Sequence, residues 1–189
     1  MATKANNDSE GISRPRLVFY VVFVVVSGIL IVLSVTRGIS FFLVPSSSML
    51  PALQQGDYIL TLTDDRYLRG DIVVLKDPES EGGGFLVKRI VAIGGDTVAI
   101  QGGALVLNGE YASEPYVREP MNADFEAITV PEGEVFVLGD NRNESDDSSV
   151  WKDPTVPVKS IVGRVRYIYL PWSRMGRVDP YPLTNVSGY

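Results

Sequence analysis

The chain contains neither histidine nor cysteine among its 189 residues. Without an imidazole, a serine hydroxyl has no Ser-His-Asp arrangement to join, so any serine nucleophile must take its proton acceptor from elsewhere. Without cysteine, disulfides are excluded, and with histidine also missing the usual ligands of structural zinc are gone. Basic clusters are scarce as well. The net charge is −6, and the basic residues form only isolated Lys-Arg and Arg-x-Arg pairs. Such a chain offers no phosphate-tracking surface, so nucleic acid is not an expected partner. What is plentiful is apolar, at 45% of residues, on a length that allows one ordinary domain plus a membrane segment.

That membrane segment is near the N-terminus. Leu17 to Val35 runs without a charge, as LVFYVVFVVVSGILIVLSV. At 1.5 Å of helix rise per residue it spans roughly 28 Å, close to the hydrocarbon thickness of a bilayer. A cleaved secretory signal has a shorter apolar core followed by a small-x-small site, which Ser34-Val35-Thr36 matches poorly. A core helix of a soluble protein would show a polar face, and this run has none. An uncleaved anchor over 17–36 is therefore expected. Lys4, Arg14 and Arg16 precede it and Arg37 follows, which predicts a cytoplasmic tail over 1–16 and places 37–189 on the outer face.

Beyond the anchor the pattern is that of strands. Runs rich in Val, Ile, Leu and Tyr recur at 58–62, 72–75, 85–93, 97–100, 104–107, 135–138 and 161–169, separated by Gly, Pro, Asp and Asn. A mainly β domain follows. Gly56-Asp57, Gly70-Asp71 and Gly95-Asp96 each precede a strand, as expected of a turn with a positive φ and an aspartate bonding its own backbone. The stretches 82–84 and 110–126 read as loops.

Three segments carry candidate chemistry. Ser48 lies in Pro-Ser-Ser-Ser-Met-Leu-Pro, where the flanking prolines hold a turn that can expose a nucleophile. Lys88 lies in the strand pattern FLVKRIVAI, whose alternation requires Lys88 or Arg89 to point inward. A lysine acts as a base only when neutral, and apolar neighbours favour that form by withholding solvation. The third segment, Gly139 to Ser149, invites a calcium-loop reading. Arg142 interrupts its ligand alternation, and the sharp-turn glycine and closing glutamate are missing, so no metal or other cofactor is expected.

The blocks PSSSMLPAL (45–53), RGDIVVL (69–75), VKRIVAIGGD (87–96) and GDNRNESDDS (139–148), in this order behind one anchor, resemble those of bacterial type I signal peptidases. The resemblance covers residues 17 to about 171. It implies coiled antiparallel β-sheets of the signal peptidase and LexA-like type, and a membrane-bound serine endopeptidase with a Ser-Lys dyad. The substrates it implies are secretory preproteins delivered by the export translocase, and the setting is the bacterial plasma membrane. Residue by residue, Ser48 matches the nucleophile and Lys88 the general base. The Ser48 N–H and the Ser46 hydroxyl match the oxyanion-hole donors, and Ser145 matches the residue that orients the lysine. Arg89, Asp140, Arg142 and Asp147 match bracing charged positions. Phe42, Val44, Pro45, Leu53 and Val87 match apolar positions around pockets for small side chains, typically alanine at the first and third positions before the cut.

The chain departs from the family pattern at several places. Asn143, Glu144 and Ser149 stand where aspartate, asparagine and arginine are usual, which removes the customary ion-pair partner of Asp147. Gly94 replaces a common proline and Ala52 a common threonine. The interval 97–133 leaves room for a small cap only. A self-cleaving protease of the LexA type is a second reading, disfavoured because 1–36 holds a membrane span where that class carries a DNA-binding domain. A third is a non-enzymatic anchored β domain that binds peptides. Ser48 follows the anchor closely enough that an extended connection spans at most about 45 Å, which keeps the nucleophile near the bilayer surface.

Overall fold

A computed structural model describes residues 14–181 and 183; most of the expected tail lies outside these. The chain divides into two units, 1–37 and 38–189. In the first, α1 (Arg14–Arg37) starts within the expected tail and continues through the predicted anchor. Its stretch Arg14–Val32 is long and apolar enough to cross a membrane. The large apolar side chains from Leu17 to Val32 are exposed, so the helix is apolar on every side, the pattern of a lipid-facing segment.

Among the described residues the second unit has twelve strands: β1 (Ile39–Leu43), β2 (Tyr58–Leu62), β3 (Ile72–Lys76), β4 (Phe85–Ile93), β5 (Thr97–Gln101), β6 (Ala104–Leu107), β7 (Glu110–Tyr111), β8 (Phe125–Thr129), β9 (Glu134–Leu138), β10 (Val156–Pro157), β11 (Ile161–Leu170) and β12 (Gly176–Arg177). A large sheet has the order β1-β2-β11-β3-β4-β9-β10, with β12 also on β11, and a small sheet has the order β7-β6-β5-β8. Every pairing is antiparallel. The mainly β expectation is met, and the small sheet occupies the interval in which a small cap was expected.

The large sheet is covered on both faces. Alternate residues of β3 enter different cores: Ile72 and Val74 pack with Val44, Met49, Leu53 and Val87, whereas Val73 and Leu75 pack with Ile90, Val137 and Trp151. A third core joins the small sheet, through Val98, Ile100, Leu105 and Leu107, to Phe136 and Leu138 of β9. The strand β4 lies where these layers meet, and Val87 to Ala92 are all buried.

The three Gly-Asp turns share one construction. Gly56, Gly70 and Gly95 have φ of +92°, +90° and +88°, a region that disfavours other residues. Asp57, Asp71 and Asp96 accept the N–H of Gln54, Leu68 and Ile93 at 2.8, 2.8 and 2.9 Å. Each carboxylate also takes an arginine: Arg174, Arg164 and Arg69 respectively. The segment 110–126, expected as a loop, instead contains β7 and the start of β8 and supplies two side chains to the buried polar network described below.

Candidate active site

On β4, Lys88 pairs across the sheet with Val73, while Arg89 pairs with Ile72 on one side and Leu138 on the other. Strand alternation sends the two side chains to opposite faces. Lys88 and Arg89 are nevertheless only 3% and 2% exposed. The sequence required one of them to point inward; with cores on both faces, both are enclosed.

The Lys88 amine is 2.9 Å from Ser145 Oγ and 3.3 Å from Ser48 Oγ. Ser46 Oγ is 3.3 Å from Ser48 Oγ. Burial lowers the Lys88 pKa below the ordinary lysine range, because the charged form loses its hydration, and the Asp147, Asp146 and Asp77 carboxylates oppose that only in part. An amine held toward its neutral form can accept a proton from a hydroxyl it already touches.

Backbone contacts bring these blocks together. The Ser48 carbonyl accepts the Asn141 N–H at 3.0 Å, and Asn141 Nδ2 donates to the Ser47 carbonyl at 3.2 Å. Gly139 makes the approach possible. A Cβ there would lie 2.6 Å from both Ser145 Cβ and the Ser48 carbonyl oxygen, well inside van der Waals contact.

Arg89, Asp140, Arg142 and Asp147 are all buried. Arg89 grips Asp140 with two bonds of 2.7 Å and donates to the Gly70 carbonyl at 2.8 Å. Arg142 grips Glu114, at 2.6 and 2.8 Å, and donates to the Gly139 carbonyl at 3.1 Å. The Tyr116 hydroxyl donates to Glu114 at 2.6 Å, and its ring lies 4.0 Å below the Arg89 guanidinium. Burial, then the Glu114 charge, pushes the Tyr116 phenol above its ordinary pKa, so it remains a donor. Arg89, Tyr116, Glu114, Arg142 and the Gly139-Asp140 backbone thus close a ring.

The altered residues of the 143–149 segment take up bonds of their own. Asp147 accepts the Ser149 hydroxyl at 2.7 Å, the Ser149 N–H at 3.1 Å and the Gly139 N–H at 2.9 Å. A hydroxyl therefore stands where an ion-pair partner was customary. Asn143 accepts the Asn122 N–H at 2.9 Å and donates to the Pro120 carbonyl at 3.0 Å; an aspartate could not make the second bond.

Of the apolar candidates, Val44, Leu53 and Val87 share one core, with Phe42 packed against it. Phe42 also meets Phe85 edge-on at 5.3 Å between ring centres. Pro45 is exposed beside them. Sequence reasoning missed Gly139, Glu114 and Tyr116. A glycine just after a strand reads as a turn, and Glu114 and Tyr116 lie in a polar stretch without a local motif. Among the described residues no acidic cluster is placed to hold a metal ion.

Residues 17–172 match the family model described as signal peptidase, peptidase S26. The chain is 36% identical over 148 residues to the protein named Probable signal peptidase I-1 of Synechocystis sp., covering 73% of this chain and 74% of that protein. It is 32% identical over 152 residues to signal peptidase I of Bacillus licheniformis, covering 73% and 80%. Against the protein named Probable thylakoidal processing peptidase 2 of Arabidopsis thaliana the identity is 40% over 145 residues, which is 71% of this chain but 39% of that longer one. A crystal structure of a signal peptidase I from Enterococcus faecalis aligns with a TM-score of 0.47 at 32% identity, covering 54% of this chain and 98% of that one. A family match that spans nearly the whole described chain, with relatives alike over most of its length, makes this protein a member of the signal peptidase family, peptidase S26.

Proposed function

We propose that this protein is a membrane-anchored serine endopeptidase that removes signal peptides from exported preproteins after small residues, in the pattern Ala-x-Ala, using Ser48 as nucleophile and Lys88 as general base. The observation that carries the reading is the buried Lys88 amine between the hydroxyls of Ser48 and Ser145, at 3.3 and 2.9 Å.

In the reaction, neutral Lys88 takes the Ser48 proton as Oγ attacks the scissile carbonyl. The resulting oxyanion is held by the Ser48 N–H and the Ser46 hydroxyl. Protonated Lys88 then returns the proton to the leaving amine, releasing the mature chain and leaving the signal peptide as an ester on Ser48. Lys88, neutral again, activates the water that hydrolyses this ester. Ser145 aims the amine, and Arg89, Asp140, Arg142 and Asp147 fix the loop that carries Ser145. Phe42, Val44, Pro45, Leu53 and Val87 wall the pockets for the residues before the cut. Residues 17–36 anchor the enzyme, with 1–16 in the cytoplasm and 37–189 on the outer face of the bacterial plasma membrane. There the translocase delivers preproteins with the cleavage site close to the bilayer.

The test is cleavage of a preprotein carrying Ala-x-Ala by the full chain purified in detergent. Cleavage immediately after the second alanine, abolished by Ser48→Ala, is expected. Intact preprotein with the folded wild-type chain would overturn the reading.

A further inference from the structure

A cleft of about 140 Å³ lined by Leu50, Arg118, Glu119, Asp140, Asn141 and Arg142 opens beside the nucleophile loop. Two of its walls are tied to the segment that carries Ser48. Leu50 donates its N–H to the Ser47 carbonyl at 3.1 Å, and Asn141 donates its own to the Ser48 carbonyl. A second cavity, of about 280 Å³, shares Arg118, Glu119 and Arg142 and continues the space beyond them. In the large sheet, β9, which leads into Asp140 to Arg142, lies on the other side of β4 from β1. Of the walls assigned above to residues before the cut, Phe42 belongs to β1, Val44, Pro45 and Leu53 to the segment that follows it, and Val87 to β4. The cleft therefore adjoins Ser48 on the β9 side, away from β1.

The charges in the cleft are of two kinds. Asp140 and Arg142 are consumed, by Arg89 and Glu114 respectively. Arg118 and Glu119 are exposed, and among the described residues neither has an ion-pair partner. The backbone that directly follows them is nevertheless placed, since Asn143 holds the Pro120 carbonyl and the Asn122 N–H. Two opposite, uncommitted charges on a fixed rim next to a nucleophile are suited to reading a peptide chain.

We propose that this cleft is the subsite for the first residues after the scissile bond, and that Arg118 favours acidic and Glu119 basic side chains there. The inference rests on the proposed endopeptidase activity. Its test uses the full chain in detergent and synthetic peptides with Ala-x-Ala followed by Asp, Asn or Lys at the second position after the cut. The quantity read is the ratio of kcat/KM for the Asp and Lys peptides within each variant, so a change in overall rate does not enter. Arg118→Glu should lower the ratio roughly three- to tenfold and Glu119→Lys should raise it by a similar factor, as expected for exposed charge pairs. Both shifts should shrink in high salt. Cleavage of all three peptides with a ratio that neither variant moves would overturn the cleft assignment and leave the activity standing. No cleavage of any peptide by the folded wild type would overturn both. Equal shifts when the charge is placed before the cut instead would show a long-range field and also overturn the subsite.

Discussion

At the scale of single residues, Lys88 carries two opposed consequences of one fact. Burial lowers its pKa from the ordinary 10.5, which supplies a base and also costs the fold stability. Between the folded and unfolded pKa values the unfolded chain binds more protons, so stability rises with pH across that window. Lys88→Met should therefore abolish cleavage yet raise Tm at neutral pH, and the gain should shrink as pH climbs from the folded toward the unfolded pKa and be lost above it. Thermal unfolding at several pH values checks this; a lower Tm at neutral pH would mean that the amine's bonds outweigh its desolvation. Ser145→Ala should lower kcat by roughly one to three orders of magnitude, because orientation is lost while nucleophile and base survive. The acidic limb of the pH–rate profile reports the proton whose loss activates Lys88, and it should move as well. Unchanged kcat with an unchanged limb would reduce Ser145 to a turn residue.

Among the elements, the join between β9 and the small-sheet segment holds the site in register. Glu114→Ala leaves the Arg142 guanidinium buried and unpaired, with an expected loss of about 3–5 kcal/mol of unfolding free energy. Replacing both, as Glu114→Leu with Arg142→Leu, should recover a large part of it, and denaturant titration measures the difference. The extent to which the sequence disclosed these elements follows from the range of the forces involved. Strands such as β4 and β6 were readable to the residue because each is an apolar-rich run bounded by turn residues, Gly84 and Gly94 for β4 and Gly103 and Asn108 for β6. β1 has a half-buried pattern and lies at a sheet edge, so it was not among the runs read as strands. β8 has only exposed and half-buried residues and starts within a polar stretch, and β7, β10 and β12 are two residues each. Ser48 and Lys88 stood out from the Pro-bracketed turn and from the alternation of FLVKRIVAI, which already required one buried charge, whereas Ser145 was named only through the family resemblance. The ring through Glu114 and Tyr116 was not readable, because a contact between side chains far apart in sequence leaves no local pattern. Gly139 was visible as a turn but not as the gap that admits Ser145.

For the molecule as a whole, the proposed function gives the helix and the β unit separable tasks, proximity to the membrane and chemistry. Deleting residues 1–36 should reduce cleavage of a membrane-inserted preprotein more than that of a short soluble peptide, since only the former gains from being held in one plane with the enzyme. Equal losses would make the helix a structural requirement. Protease added to the outer face of sealed membranes should degrade residues beyond 37 and spare the tail, whereas a protected β unit would reverse the orientation. The central claim, that Ser48 and Lys88 act as one unit, is tested most directly by kcat/KM on an Ala-x-Ala preprotein for Ser48→Ala, Lys88→Ala and the double variant. A shared step predicts that all three fall to a similar residual rate; losses that add between the two single changes would contradict it.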